Sequence, residues 1–63
     1  MSMFNYERES HYDSYTFKDK SGDIGEIAVW DDGDVCIYVN EDGLLLSCEQ
    51  AKELAAKLME LTK

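Results

Sequence analysis

The stretch IGEIAVWDDGDVCIYVN, residues 24–40, decides the fold that we predict for this chain. Two runs rich in β-branched and aromatic residues flank an acidic, glycine-containing segment, which is typical of a β-hairpin. With residues 31–33 as a three-residue loop and Gly33 in the left-handed conformation, Trp30 pairs with Asp34. A two-residue loop would turn one strand over relative to the other. We prefer the three-residue loop because it gathers five aliphatic residues on one side, where a helix can cover them.

This register predicts two faces of different chemistry, since successive side chains of a strand point to opposite sides. One face gathers five aliphatic residues, which a helix can cover: Ile27, Val29, Val35, Ile37 and Val39. The other face carries Ala28, Trp30, Cys36 and Tyr38. We therefore expect the aromatic pair Trp30 and Tyr38 on the face that the helix does not cover, with Tyr12 near them.

Further turns are predicted on both sides of the hairpin. Ser21-Gly22 and Asp42-Gly43 resemble the glycine turn at residue 33, and they recur at intervals of about ten residues. Short strands between regularly spaced glycine turns indicate an antiparallel meander. The predicted strands are 12–18, 24–30, 35–40 and a short one at 44–46.

The C-terminal segment predicts one amphipathic helix over residues 48–62. Ser47 and Gln50 form the capping-box pattern that begins many helices. Glu53 and Lys57 have the spacing of a stabilising ion pair. Apolar residues recur at the three- and four-residue spacing of one helix face: Cys48, Ala51, Leu54, Ala55, Leu58 and Leu61. The predicted fold class is α+β, a small antiparallel meander of three to four strands packed by one C-terminal helix (β-β-β-β-α).

The 63 residues form a single domain. We assign residues 12–63 to the meander and helix, and residues 1–11 to an N-terminal arm or edge segment. The arm is compatible with an extra strand, a short helical arm or a disordered tail. A chain this short buries only about 60% of its unfolded surface. Domains of this size often need a disulfide, a metal or a partner subunit to be stable. Of these three we expect a partner subunit, and we predict that the chain forms a homodimer.

The net charge of −8 arises from 14 acidic and 6 basic residues. Residues 24–46 contain six acids and no base: Glu26, Asp31, Asp32, Asp34, Glu41 and Asp42. Such a field repels the phosphates of nucleic acids and anionic membranes. We therefore expect no direct nucleic-acid or membrane binding, and we expect a protein partner with a basic surface.

Catalytic and cofactor chemistry find little support in the sequence. Cys36, Cys48 and His11 are far apart in sequence, without the paired spacing of a zinc site. The segment 31–34 suggests calcium, but Val39 stands where an EF-hand loop needs glutamate. No glycine-rich phosphate motif is present. We predict a non-enzymatic protein without metal or cofactor.

The location predicted for the protein is the cytoplasm. The first residues contain neither the basic region nor the apolar run of a signal peptide. Two cysteines are too few for the disulfide framework of a small secreted domain.

The function that these observations favour is a non-catalytic protein–protein interaction module, an accessory or regulatory protein that also self-associates. Its predicted partner-binding residues are Trp30, Tyr38, Asp31, Asp32 and Asp34, because aromatic side chains are enriched at binding hot spots. In a competing interpretation, Trp30 packs under the N-terminal segment. The alternative function is an acidic nucleic-acid mimic that inhibits a basic nucleic-acid-binding protein, as phage accessory proteins do.

Overall fold

The computed structural model describes residues 2–63. In this range five strands precede one helix: β1 (Asn5–Arg8), β2 (Tyr12–Lys18), β3 (Ile24–Trp30), β4 (Val35–Val39), β5 (Asp42–Leu46) and α1 (Cys48–Leu61). The strands form one antiparallel sheet in the order β1-β2-β3-β4-β5. The predicted α+β meander with a C-terminal helix is confirmed. The small difference is the strand count, because β1 adds an edge strand from within the N-terminal segment.

The β3–β4 hairpin has the predicted three-residue loop. The Trp30 N–H donates to the Asp34 carbonyl at 2.8 Å, and the Gly33 N–H donates to the Trp30 carbonyl at 2.9 Å. Gly33 has a φ of 99°, which a residue with a Cβ rarely adopts. This loop pairs Ile27 with Ile37 across the two strands. The five aliphatic residues therefore share one face, and Ala28, Trp30, Cys36 and Tyr38 share the other.

The turn between β4 and β5 lies two residues earlier than predicted. Val39 pairs with Asp42, so the loop is Asn40-Glu41 and not Asp42-Gly43. Asn40 takes the left-handed conformation with a φ of 57°, which asparagine tolerates better than most residues. Gly43 lies inside β5 opposite Tyr38, and a Cβ there would stand 2.7 Å from Tyr38 Cδ1. Glycine is thus used to admit an aromatic ring and not to make a turn.

Helix α1 begins as predicted. The Ser47 side chain accepts from the Gln50 N–H at 3.1 Å, and the Gln50 side chain accepts from the Ser47 N–H at 3.0 Å. The helix ends at Leu61, one residue before the predicted end. Among the described side chains, Lys57 pairs with Glu60 at 3.1 Å and not with Glu53, so the predicted ion pair is wrong.

The helix covers only part of its face of the sheet. Between the helix and the sheet lies an open cleft of about 220 Å³, lined by Ile27, Val35, Ile37, Ala51, Leu54, Ala55 and Leu58. Within residues 2–63, no helix residue is buried, and the buried apolar residues are Ala28 and Cys36, on the opposite face. Val39, expected under the helix, is 56% exposed. The reason is width: a helix about 10 Å across cannot cover five strands that span roughly 19 Å.

The position of the β4–β5 turn can be tested at Asn40. We expect Asn40→Ala to lower the free energy of unfolding by about 1 kcal/mol, because alanine is strained in the left-handed conformation. Asn40→Gly, the matched control, should leave the stability within a few tenths of a kcal/mol of the original. Urea unfolding followed by circular dichroism measures both. Equal stability of the alanine and glycine variants would contradict a left-handed residue 40.

Candidate protein-binding face

The sheet face opposite the helix, which we call the aromatic face, carries Tyr12, Trp30 and Tyr38. Tyr38 pairs with Glu26, four residues from Trp30 along β3, so the row of Ala28 and Cys36 separates the two rings of the predicted aromatic pair. Tyr12 and Trp30 are direct partners across β2 and β3. Their ring centroids lie 4.6 Å apart at an interplanar angle of 37°. All three side chains are half-buried. Each ring therefore rests on the sheet and still presents surface to solvent.

In the described part of the N-terminal segment, residues 2–11, the aromatic side chains pack away from Trp30. Phe4 packs edge-on against Phe17, with centroids 5.3 Å apart, and Tyr6 packs on Tyr15 at 5.2 Å. The register places Tyr6 and Tyr15 on the same side as Ile27, which is the helix side. The competing interpretation, in which Trp30 packs under this segment, is therefore wrong. Trp30 lies on the face away from the helix.

Small buried residues form the floor between the rings. Ala28 and Cys36 are paired across β3 and β4, and Ser14 pairs with Ala28 from β2. All three are buried. The Ser14 hydroxyl donates to the carboxylate of Glu26, so this buried polar group is satisfied. Tyr12 and Trp30 stand on one side of this floor and Tyr38 on the other.

The phenol groups of the aromatic face hold their protons strongly. The neighbouring Cys36 raises the pKa of Tyr38 above its usual 10.0, and burial and Glu26 raise it further. Burial raises the pKa of Tyr12, with a contribution from Glu9. At neutral pH both hydroxyls are therefore neutral and able to donate a hydrogen bond to a partner.

An open cleft of about 310 Å³ continues past Tyr38, lined also by Thr16, Ile24, Glu26 and Asn40.

The acidic tip, residues 31–34, borders the aromatic face, but its carboxylates have different surroundings. Asp31 receives two hydrogen bonds from the Arg8 guanidinium, each 3.0 Å long. Asp32 accepts from the Asp34 N–H at 3.0 Å and stays exposed. Asp34 is half-buried. The tip thus presents Asp32 and Asp34 as free charges, whereas the charge of Asp31 is offset.

Arg8 is the residue of this region that sequence reasoning missed. It is the only arginine of the chain, and it lies 23 positions from Asp31. It also reaches Asp13 at 3.4 Å, so it links β1 and β2 to the β3–β4 loop. Its rarity was the available signal, because a single arginine among many acids is the favoured bidentate partner for a carboxylate. Its pairing with Asp31 depends on the order of the strands in the sheet, which brings the end of β1 close to the β3–β4 loop.

The hydrogen bonds from Arg8 lower the pKa of Asp31 below its usual 3.8. In return, the carboxylates of Asp31 and Asp13 raise the pKa of Arg8. Arg8 therefore offsets the charge of one tip carboxylate, Asp31, whereas Asp32 accepts one backbone hydrogen bond and keeps its charge exposed. Across the described residues, no group of three or more His, Cys, Asp and Glu side chains is placed to hold a metal ion. Over the same range, no helix has the length and apolar character needed to span a membrane.

Comparison of the chain with models of known protein families, with curated protein sequences and with solved structures gave no match. The proposed function therefore rests on the chemistry of these residues alone. Half-exposed rings beside free carboxylates suit the binding of a partner's cationic and apolar side chains, since cations are attracted to the faces of Trp and Tyr rings.

The Arg8–Asp31 pair predicts a measurable pH dependence. Because the folded-state pKa of Asp31 lies below its unfolded value, the pair stabilises the fold above about pH 4. This contribution is lost as the pH falls through the folded pKa. Carbon-detected NMR titration should give Asp31 a pKa below 3.8, and Arg8→Gln should return it to the usual value. Arg8→Lys, which cannot bind both oxygens as a fork, should give an intermediate pKa. An unchanged Asp31 pKa in Arg8→Gln would disprove the pair.

Proposed function

We propose that this chain is a non-catalytic protein–protein interaction module that binds a basic protein partner through its aromatic face and acidic tip. We propose further that it acts as an accessory or regulatory protein and that it self-associates. The observation that carries the proposal is the ring contact between Tyr12 and Trp30, half-exposed on a sheet face that no other element of residues 2–63 covers. Tyr and Trp at the centre of a surface are the usual anchors of protein binding.

The electrostatics support a partner with lysine or arginine side chains. Asp32 and Asp34 stand beside Trp30 with no cation bound to their carboxylates among the described residues. A partner ammonium or guanidinium group placed over the rings would meet both the ring faces and these carboxylates. The net charge of −8 adds long-range attraction for such a partner and speeds its association at low salt.

The second candidate function, an acidic nucleic-acid mimic, has one observation in its favour. The acidic tip and the turn with Glu41 and Asp42 lie at opposite ends of β4, roughly 17 Å apart for five extended residues. Asp31 weakens this candidate, because its charge is offset by Arg8 and two phosphate-like charges remain at the tip. The ring pair Tyr12 and Trp30 also has no counterpart in a phosphate backbone. We therefore favour the interaction module.

The experiment is affinity capture from the native host, followed by measurement of the purified partner's binding. Asp32→Asn with Asp34→Asn removes two charges and keeps a side-chain oxygen for the turn. We expect roughly three- to tenfold weaker binding at low salt, which is the scale of exposed charge pairs. Trp30→Leu should weaken binding at least tenfold, because it removes the central ring. Fluorescence of Trp30, the single tryptophan, should change on binding.

The matched control is Glu49→Gln with Glu53→Gln, two exposed residues of the helix. It also changes the net charge from −8 to −6 and should leave the affinity almost unchanged. If the control weakened binding as much as the tip variant did, only overall charge would matter and the aromatic face would not be the site. Competition by duplex DNA or RNA for the captured partner, with Trp30→Leu binding normally, would instead favour the mimic.

A further inference from the structure

The helix side of the molecule exposes a second apolar surface, unrelated to the aromatic face. Seven of its large hydrophobic side chains are at least 39% exposed: Phe4, Tyr6, Val39, Leu44, Leu54, Leu58 and Leu61. We infer that this helix-side surface binds a second copy of the chain, so that the protein is a two-fold symmetric dimer. The inference rests on the self-association in the proposed function and gives it a surface, which is not the aromatic face.

The chemistry of the sheet beneath this surface favours an apolar occupant. The strand register aligns five uncharged residues in one row across the whole sheet: Tyr6, Tyr15, Ile27, Ile37 and Leu44. Charged side chains of this face occur only in the flanking rows among the paired residues. Arg8 and Asp13 occupy one of these rows, and Asp42 the other. A central row without charges, with the three charged residues at the outer ends of the flanking rows, is similar to an interface core with a polar rim.

The row is covered by the protein's own helix only in its middle. Ile27 and Ile37 line the cleft under Leu54 and Leu58. At the β1–β2 end, Tyr6 and Tyr15 lie in a local aromatic cluster with Phe4 and Phe17, and the Tyr6 hydroxyl donates to Asp13. At the other end, Leu44 is 62% exposed. Both ends of the row are therefore open, one on each side of the helix.

The surface area supports a second copy quantitatively. The chain exposes 5297 Å², whereas a compact monomer of 7.2 kDa is expected to expose about 4,100 Å². The excess of roughly 1,200 Å² belongs to the chain as a whole, the aromatic face included, and it is larger than the approximately 800 Å² that each partner buries in a stable interface. A two-fold axis suits this surface because it holds both the C-terminal end of the helix, where Leu58 and Leu61 are more than half exposed, and an open aromatic half-sheet. Each copy can then place this end of its helix on the other's half-sheet.

The charge of the chain makes the dimer distinguishable from the complex with a basic partner. Two copies of charge −8 repel each other, so added salt should strengthen the dimer by screening that repulsion. Salt should weaken the binding of a basic partner, which is attracted by the same charge. The dimer also leaves both aromatic faces on its outside, so that it presents two partner-binding sites.

The test is sedimentation equilibrium of the full chain with two neighbouring substitutions on β5. Leu44 and Leu45 are 62% and 68% exposed, and they point to opposite faces. We expect the original chain to dimerise at ~50 µM, with a Kd that falls when salt rises from about 50 to about 500 mM. Leu44→Lys should raise the Kd at least about tenfold, since it buries two charges per dimer. Leu45→Lys, with the same change in charge, should not.

Leu61→Lys, at the end of the helix and 71% exposed, is a second variant that should weaken the dimer without unfolding the chain. A monomer at every salt concentration would overturn the inference, as would equal weakening by Leu44→Lys and Leu45→Lys, which would indicate pairing of β5 edges. Affinity capture of the protein partner distinguishes a failure of the dimer from a failure of the proposed function. A monomeric Leu44→Lys that still binds the partner leaves that function intact, whereas a dimeric chain that binds no partner refutes only the function.

Discussion

The register of the β3–β4 hairpin is the constraint on which the rest of the structure depends. It is fixed by the left-handed Gly33 and by the pair of hydrogen bonds that close the loop between Trp30 and Asp34. A slip of one residue in either strand would send its aliphatic side chains to the aromatic face and its aromatic side chain under the helix. The separation of the molecule into an aliphatic and an aromatic side therefore originates in one loop, and the other strands extend it outward.

A second constraint is the width of the sheet relative to the helix. Among the described residues one helix, α1, faces five strands, and the strands together are wider than the helix. The consequence is unusual: in the part of the chain described, the buried apolar residues, Ala28 and Cys36, lie opposite the helix, sheltered by neighbouring rings. The side with the helix has larger hydrophobic residues and leaves them partly open. A domain of this size has a marginal core, so an exposed apolar surface both limits its stability and favours association.

The two faces differ in the physical basis of the binding that we propose for them. The aromatic face combines half-exposed rings with free carboxylates, which attract cationic groups and respond to salt by weakening. The helix-side surface is uncharged at its centre, where burial of apolar area dominates. Arg8 contributes to the contrast, because it withdraws Asp31 from the tip and ties the edge strand to the loop. Such a division permits one small domain to bind two different kinds of partner at once.

The sequence alone determined the elements whose causes are local. Alternation around residues 31–33 predicted the hairpin and both of its faces, and Ser47 with Gln50 predicted the start of the helix. It misplaced the β4–β5 turn, because Gly43 serves a ring on the neighbouring strand and Asn40 makes the turn instead. It left three alternatives for residues 1–11 and missed Arg8, since edge pairing and the contact with Asp31 form only once β2 and β3 lie side by side. Local backbone preferences are encoded within a few residues, whereas cross-strand contacts and coverage by a helix depend on distances that the tertiary structure alone sets.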